Sequence, residues 1–277
     1  EDSIDLIVTN TSNRSITGSC EIDEKDVVAK HAPLRFVDLK PKTSAVFPLT
    51  RLPNDKSRLT VRSMLDDADE FDIQRCNLQV MMAPKLTGKI ALDGDLSDWP
   101  EQTPRTLTWR DATDNRHPES VAKWVKNENI NAQVYDAWDD EFLYLAVVVD
   151  KKNSRFPNES NAMWKYDSLQ IAFDPLKNPT TKKYGDDDYE YCVGLVKGKP
   201  TVYCRKNASL VYDGVSRPLG VIHDVKLAIS HKGDKTIYEM AFPQATLSPF
   251  KLDAGNSMAF NLIVNLNNGT KRMGWLE

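Results

Sequence analysis

The sequence has no apolar run near the roughly 20 residues that a membrane-spanning helix requires. It also lacks an excess of basic charge. Lys and Arg number 36 against 40 Asp and Glu, a net charge of -4 with a pI near 5.7. That balance argues against nucleic acid or an anionic membrane as the main partner. Four histidines, His31, His117, His223 and His231, stand apart, none in a His-Glu-x-x-His or similar ligand spacing. Cys20, Cys76, Cys192 and Cys204 are too dispersed for a zinc site and form no Cys-x-x-Cys pair. A Gly-x-Ser-x-Gly elbow, a P-loop and a Gly-x-Gly-x-x-Gly turn are all missing, so acyl-transfer and nucleotide chemistry have no signature. Internal repeats and low-complexity tracts are absent, and no helix-length 3.6-residue periodicity precedes residue 84.

What remains is the material of β-sheets. With 277 residues, 40% hydrophobic and 27% charged, the chain can build a packed core, as two average domains or one large sandwich. Short strand-like runs arrive at near-regular intervals: "IDLIVTN", "SITGSCEID", "DVVAK", "LRFVDLK", "SAVFPLT", "RLTVRSML" and "FDIQRCNLQVMMA". This is the habit of an all-β sandwich. Phe36 is out of step with Val37 and Leu39, which predicts a bulge or register change. "APKLTG" (83–88) reads as a linker or shared edge. Strand signals then resume to the end, with one short helical turn expected at "PQATL". The fold class is therefore all-β, two sandwich domains over 1–84 and 85–277. The opening "EDSIDLIVTN" already reads as strand and carries no secretory leader, so the chain is expected to be a processed or excised piece of something larger.

Three features bear on chemistry. "YEYCVGLVKGKPTVYCRK" reads as a hairpin centred on Gly198, which would set Cys192 opposite Cys204; a disulfide and two buried free thiols both stay open. The acidic turn "YGDDDYE" offers Asp186, Asp187 and Asp188, either simply solvated or holding a calcium ion through hard oxygen ligands. Asn10, Asn13, Asn158, Asn207 and Asn268 each open an Asn-x-Ser/Thr triplet, a pattern too common to establish a secretory route.

The tryptophans say more. All six, at 99, 109, 124, 138, 164 and 275, fall in the second module. Trp99 and Trp138 read as anchors where strands meet loops. Trp164 differs. In "NAMWKYDSLQIAFDP" (161–175), Leu169, Ile171 and Phe173 share one face and Ser168, Gln170 and Ala172 the other. A strand extended back without a bulge puts Trp164 on the polar face with Gln170. An indole beside an amide suits a sugar, whose C–H face stacks while its hydroxyls hydrogen-bond.

The blocks "ALDGDLSDW", "VYDAWDDEFLYLAVVVDKKN", "WKYDSLQIAFDP", "YEMAFPQATLSPF" and "MAFNLIVNLNNGTKRMGW" make residues 86–277 resemble family 9 carbohydrate-binding modules. The resemblance implies a calcium-containing β-sandwich of the DOMON-like kind. Sugar-binding members hold a terminal sugar between two tryptophans, with charged and amide side chains reading the hydroxyls. Trp164 matches the first of these tryptophans. Gln170 stands where those members have a glutamate, Cys192 where they have an arginine, and Trp275 falls too early for the second tryptophan. The first module is similar to the immunoglobulin-like spacers that precede such modules in large bacterial secreted enzymes.

Two readings follow. One is non-catalytic binding of a polysaccharide or oligosaccharide through Trp164, Gln170 and Tyr166, with structural calcium at Asp186, Asp187 and Asp188. It would serve a larger secreted polysaccharide-processing protein, extracellular or periplasmic, without membrane insertion. The other is a structural or protein-interaction sandwich that has lost the sugar site. A glycosidase would need two carboxylates roughly 5–9.5 Å apart in a cleft, a distance no sequence supplies.

Overall fold

A computed structural model describes residues 3–10, 12–22, 34–50, 61–66, 83–108, 112–113, 118–178, 184–209, 214, 218–266 and 271–274. It divides into two compact units, Glu1–Met82 and Ala83–Glu277. The runs "DVVAK" and most of "FDIQRCNLQVMMA", with Cys76, Trp109 and Trp275, lie outside the described residues.

In the first unit, β1 (Ser3–Thr9) pairs with β4 (Ser44–Thr50), and β2 (Ile16–Ile22) lies between β3 (Leu34–Leu39) and β5 (Val61–Leu65). The two sheets share one core. Cys20 and Phe36 are buried, with Val8, Ala45 and Phe47 packed on them from one sheet and Ile16, Leu34, Leu39 and Leu65 from the other. The expected break in alternation is present. Ile16 faces Leu39 and Gly18 faces Phe36, so β3 carries one extra residue, absorbed where Asp38 takes a left-handed φ of 52°. A Cβ on Gly18 would lie 2.2 Å from the Met64 carbonyl oxygen, so only glycine fits there. Of the triplet asparagines, Asn10 is buried. Its amide donates to the Arg14 and Leu39 carbonyls at 2.7 and 2.8 Å, which commits it to the fold.

The second unit is a sandwich of a five-stranded and a seven-stranded sheet. Its elements are β6 (Arg105–Leu107), β7 (Ala112–Thr113), α1 (Pro118–Asn127), β8 (Asn131–Trp138), β9 (Phe142–Asp150), a 3₁₀ helix (Ser160–Lys165), β10 (Ser168–Asp174), β11 (Tyr189–Val196) and β12 (Lys199–Lys206). There follow β13 (Gly220–Ile222), β14 (Lys226–Lys232), β15 (Lys235–Pro243), a second 3₁₀ turn (Gln244–Leu247), β16 (Ala259–Leu266) and β17 (Lys271–Gly274). That turn falls at "PQATL", where the sequence places it. The helix α1 has no counterpart in the sequence reading. Among its residues of described burial only Val121 and Val125, one turn apart, are fully buried, too short a pattern to declare itself.

The order β14-β15-β9-β8-β6 puts β9 and β15 at the centre of the smaller sheet. "FLYLAVVVD" is nearly all apolar because both its faces are covered. One face meets the larger sheet, where Phe242 packs edge-on against Phe173 at 5.1 Å and tilts against Tyr191 at 5.4 Å. Each such fully buried ring is worth about 1.5–3 kcal/mol. The other face is covered by the segment holding Ile90, Leu92, Leu96 and Trp99. Trp99 Nε1 donates to Glu239 Oε1 at 2.9 Å, and the amides of Asp93 and Gly94 donate to Glu239 Oε2. Burial, only partly offset by these donors, pushes the Glu239 carboxyl above its ordinary value. Trp138 is likewise an anchor, giving its indole N–H to the Ala83 carbonyl at 3.0 Å.

The β11–β12 hairpin corrects the cysteine geometry. Lys197 and Gly198 both take positive φ, 50° and 76°, as a two-residue type I′ turn demands. That turn pairs Val196 with Lys199, so Cys192 faces Tyr203 and Cys204 faces Tyr191. The register is one residue away from a Cys–Cys pair, and the two thiols point to opposite sides of the sheet. Cys20, Cys192 and Cys204 are buried free thiols.

Candidate functional site

The larger sheet runs β13-β12-β11-β10-β16-β17-β7. One face is core, carrying Leu169, Ile171, Phe173, Tyr189, Tyr191 and Val193. The opposite face follows from the register. In its middle row Val221, Tyr203, Cys192, Gln170 and Ile263 lie side by side across five strands. In the next row Glu190, Ala172 and Asn261 are neighbours. Ser168, Gly194 and Thr201 occupy the row on the other side.

A chain of polar contacts crosses this face. Gln170 Nε2 donates to Glu190 Oε1 at 2.8 Å, and Arg205 Nε approaches the same oxygen at 3.5 Å from β12. The Tyr184 hydroxyl also hydrogen-bonds Glu190; burial and this carboxylate hold its phenol well above the usual range. Cys192 lies beneath, its thiol pushed up to about 12 by burial and only partly drawn back by the Arg205 guanidinium. A carboxylate, an amide and a guanidinium thus converge where Gln170 alone was expected.

Trp164 is not on the strand. It sits in the 3₁₀ helix, half-buried, with Lys165 Nζ 5.3 Å from its ring centre. The helix packs across β10 to β13 and β16. A Cβ added to Gly194 would lie 3.2 Å from Met163 Sδ and 3.3 Å from Ser168 Cβ, so the missing side chain makes room for the helix on the Gln170 face. The period-two extrapolation therefore does not apply to Trp164, whose place is set by the 3₁₀ helix and not by the strand. Tyr166 closes the helix; its N–H donates to the Met163 carbonyl at 2.9 Å and its carbonyl accepts Ser168 Oγ at 3.2 Å. Ser168 Oγ also donates to the Met163 carbonyl at 2.8 Å and lies 3.1 Å from Asn265 Nδ2. Behind the helix, Lys151 Nζ donates to Asp167 Oδ2 at 3.0 Å, both side chains buried, and the Arg155 amide donates to the same oxygen.

Beyond the Glu190 row lies an acidic cluster, and its membership differs from the expected three. Asp174, Asp187 and Asp188 bring carboxylate oxygens within 4.8 Å of one another. Asp186 is exposed outside it and contributes its carbonyl to the Ser209 amide. Asp187 Oδ2 accepts the Leu176 amide at 3.0 Å, and Asp188 Oδ2 accepts the Gly185 amide. Asp188 Oδ1 is buried with no partner among the described residues, as is Asn261 Oδ1. Burial, then the charges of Asp188 and Asp187, raises the Asp174 carboxyl. A cavity of about 410 Å³ bounded by Gln244, Pro249, Phe250 and Asp253 shares no residue with the Gln170 face.

A family model described as carbohydrate family 9 binding domain-like matches residues 106–277, more than half of the chain. The chain belongs to this family. The chain also aligns with endo-1,4-beta-xylanase A of Thermotoga neapolitana, 30% identical over 117 residues, and with its namesake in Thermotoga maritima, 26% identical over 117 residues. Each alignment covers 42% of this chain and only 10% of the relative, so the chain spans about a tenth of the length of these curated relatives. Among solved structures, a family 9 carbohydrate-binding module of Caldicellulosiruptor kristjanssonii in complex with glucose overlays with a TM-score of 0.48 and 16% identity, over 69% of this chain and 83% of that one. The same module with cellotriose gives 0.48 and 18%, over 70% and 82%.

The sequence reading missed Glu190, Arg205, Tyr184 and Asp174. Glu190 and Arg205 read as ordinary strand residues because only cross-strand register brings them to Gln170. Asp174 had a signal, a carboxylate closing the apolar alternation of "DSLQIAFD", but it lies well before the acidic turn it joins.

Proposed function

We propose that this chain recognises carbohydrate without catalysis, through Trp164 as stacking platform, with Tyr166 beside it and Gln170, Glu190 and Arg205 reading hydroxyls. The observation that carries the reading is the Gln170–Glu190–Arg205 chain on a sheet face across which the helix bearing the half-buried Trp164 packs. A flat apolar surface with a few fixed donors and acceptors is what a sugar requires. Glu190 accepts, Arg205 donates, and Gln170 does both once its N–H is engaged.

The acidic cluster fits a calcium ion: three carboxylates converge, and one buried oxygen lacks a partner. Asp174, Asp187 and Asp188 would hold it, and its charge would neutralise their repulsion. The role would be structural, because Asp187 and Asp188 also bind the Leu176 and Gly185 amides between β10 and β11. The small share of the xylanases that the alignments span supports a further part of the proposal. The chain would be one binding module of a larger secreted polysaccharide-processing protein, carrying that protein to glycan.

Calorimetric titration of glucose, xylose and the cello- and xylo-oligosaccharides tests the reading. Heat of binding with at least one sugar, lost in Trp164→Ala, is the expected result. No heat with any sugar would leave a protein-interaction sandwich as the better account, and binding unchanged by that substitution would move the sugar site away from Trp164.

A further inference from the structure

We infer that a divalent cation in the Asp174 cluster raises the affinity of the sheet face for sugar, with Tyr184 as the positioning residue that carries the effect to Glu190. The coupling rests on both readings proposed above, sugar on the sheet face and calcium in the cluster, and adds a link between them.

One short segment joins the two sites. Asp187 and Asp188 belong to the cluster, and Glu190, two residues after Asp188, belongs to the polar chain with Gln170 and Arg205. Tyr184 stands at the head of this segment, and its hydroxyl hydrogen-bonds Glu190. The amide of the next residue, Gly185, is held by Asp188 Oδ2. The backbone from which Tyr184 reaches Glu190 is therefore fixed by a carboxylate of the cluster. A second tie runs to β12, where the Asp188 carbonyl accepts Lys206 Nζ at 3.4 Å, one residue from Arg205.

Charge decides how firmly the segment is held. Asp187 Oδ2 accepts the Leu176 amide at 3.0 Å and Asp174 Oδ1 the Asn178 amide at 3.4 Å. The turn after β10 and the segment before β11 are thus drawn together around three carboxylates that repel one another. Backbone donors offset part of that repulsion, but Asp188 Oδ1 is buried with no partner among the described residues. With a cation bound there, the repulsion is removed and the closed arrangement of the segment is favoured. That arrangement keeps Tyr184 on Glu190, which then accepts a sugar hydroxyl without reorganising. A site that is binding-competent for only part of the time loses affinity by that fraction. Sugar and cation favour the same arrangement, so each tightens the other by one factor.

The test is calorimetric titration of the whole chain with glucose, xylose, cellotriose and xylotriose, in saturating calcium and in chelator. At least one sugar should bind about fivefold or more tightly with calcium, the low end of coupling between sites. Calcium titrated into the sugar-saturated protein should gain the same factor. Tyr184→Phe keeps the ring and loses the hydroxyl; its calcium-to-chelator affinity ratio should fall toward one. The rise in its unfolding midpoint with calcium, measured without sugar, should persist. Asp174→Asn should lose both the ratio and the rise. Sugar affinity that is equal in calcium and chelator, a ratio that survives Tyr184→Phe, or an unfolding midpoint indifferent to calcium overturns the coupling and leaves carbohydrate binding standing. Absence of binding to every sugar in both conditions overturns the two together.

Discussion

The Gln170 amide donates to the Glu190 carboxylate across β10 and β11 at 2.8 Å, so one neutral and one charged side chain share a strand-to-strand contact on the outer face. Replacing Gln170 with Glu would set two carboxylates against each other there. Like charges at this distance raise the pKa of one of them. An acid whose folded pKa is raised favours the folded form below that pKa and loses the contribution as pH rises through it. Gln170→Glu should therefore bind sugar and resist unfolding better at pH 5 than at pH 8, the folding equilibrium gaining ~2–3-fold at the lower pH for a pKa raised by one. The wild type should change far less. Titration calorimetry and thermal unfolding at both pH values measure this, and an indifferent variant would show that residues 170 and 190 do not interact.

The buried Lys151–Asp167 pair fixes the chain between the Trp164 helix and β10. Asp167→Ala strands a buried ammonium and should destabilise the module by about 3–5 kcal/mol. A double replacement by apolar residues, Lys151→Met with Asp167→Leu, should recover part of this. Recovery stays incomplete because the Arg155 amide also loses its acceptor. Urea unfolding of both variants gives the comparison; equal stability of the single and double variants contradicts it.

How far the sequence reveals this site follows from which interactions are local. Alternation in "DSLQIAF" identifies the core face because period two is intrinsic to a strand. Trp99 and Trp138 announce themselves because indoles at strand–loop junctions find partners for their N–H groups. Trp164 resists such reading: Asp167 is turned toward Lys151 and Ser168 toward the Met163 carbonyl, which ends the strand at residue 168. The cysteines show the sensitivity of register, since a turn centred between Lys197 and Gly198 instead of on Gly198 separates the thiols onto opposite faces. Glu190 and Arg205 meet Gln170 only through pairing of three strands, which no local pattern encodes.

Calcium should stabilise the module through the Asp174 cluster. At a free concentration one hundred times Kd the gain is about 2.7 kcal/mol, which raises the unfolding midpoint of a domain of this size by roughly 5–10 °C. Asp174→Asn and Asp188→Asn should remove most of the rise. Asp186→Asn should leave it, because that side chain is exposed outside the cluster. Scanning calorimetry with added calcium and with chelator decides the matter; a rise that depends on Asp186 would relocate the site to the turn.

The thiols on the β11–β12 hairpin should be slow to react and should never pair. Cys192 is held to about 12 and Cys204 to about 11, both chiefly by burial. Only the thiolate is nucleophilic, so at pH 8 the reactive fraction of either is about a thousandth or less in the folded protein. Alkylation with iodoacetamide at pH 8, followed by peptide mapping, should leave both unmodified in the native state. In urea both should be modified within the same time, without prior reductant. Protection that persists in urea until dithiothreitol is added would mean a disulfide. That would require the strands to slip by one residue, carrying Gln170's neighbours to the other face and dissolving the polar chain that defines the site.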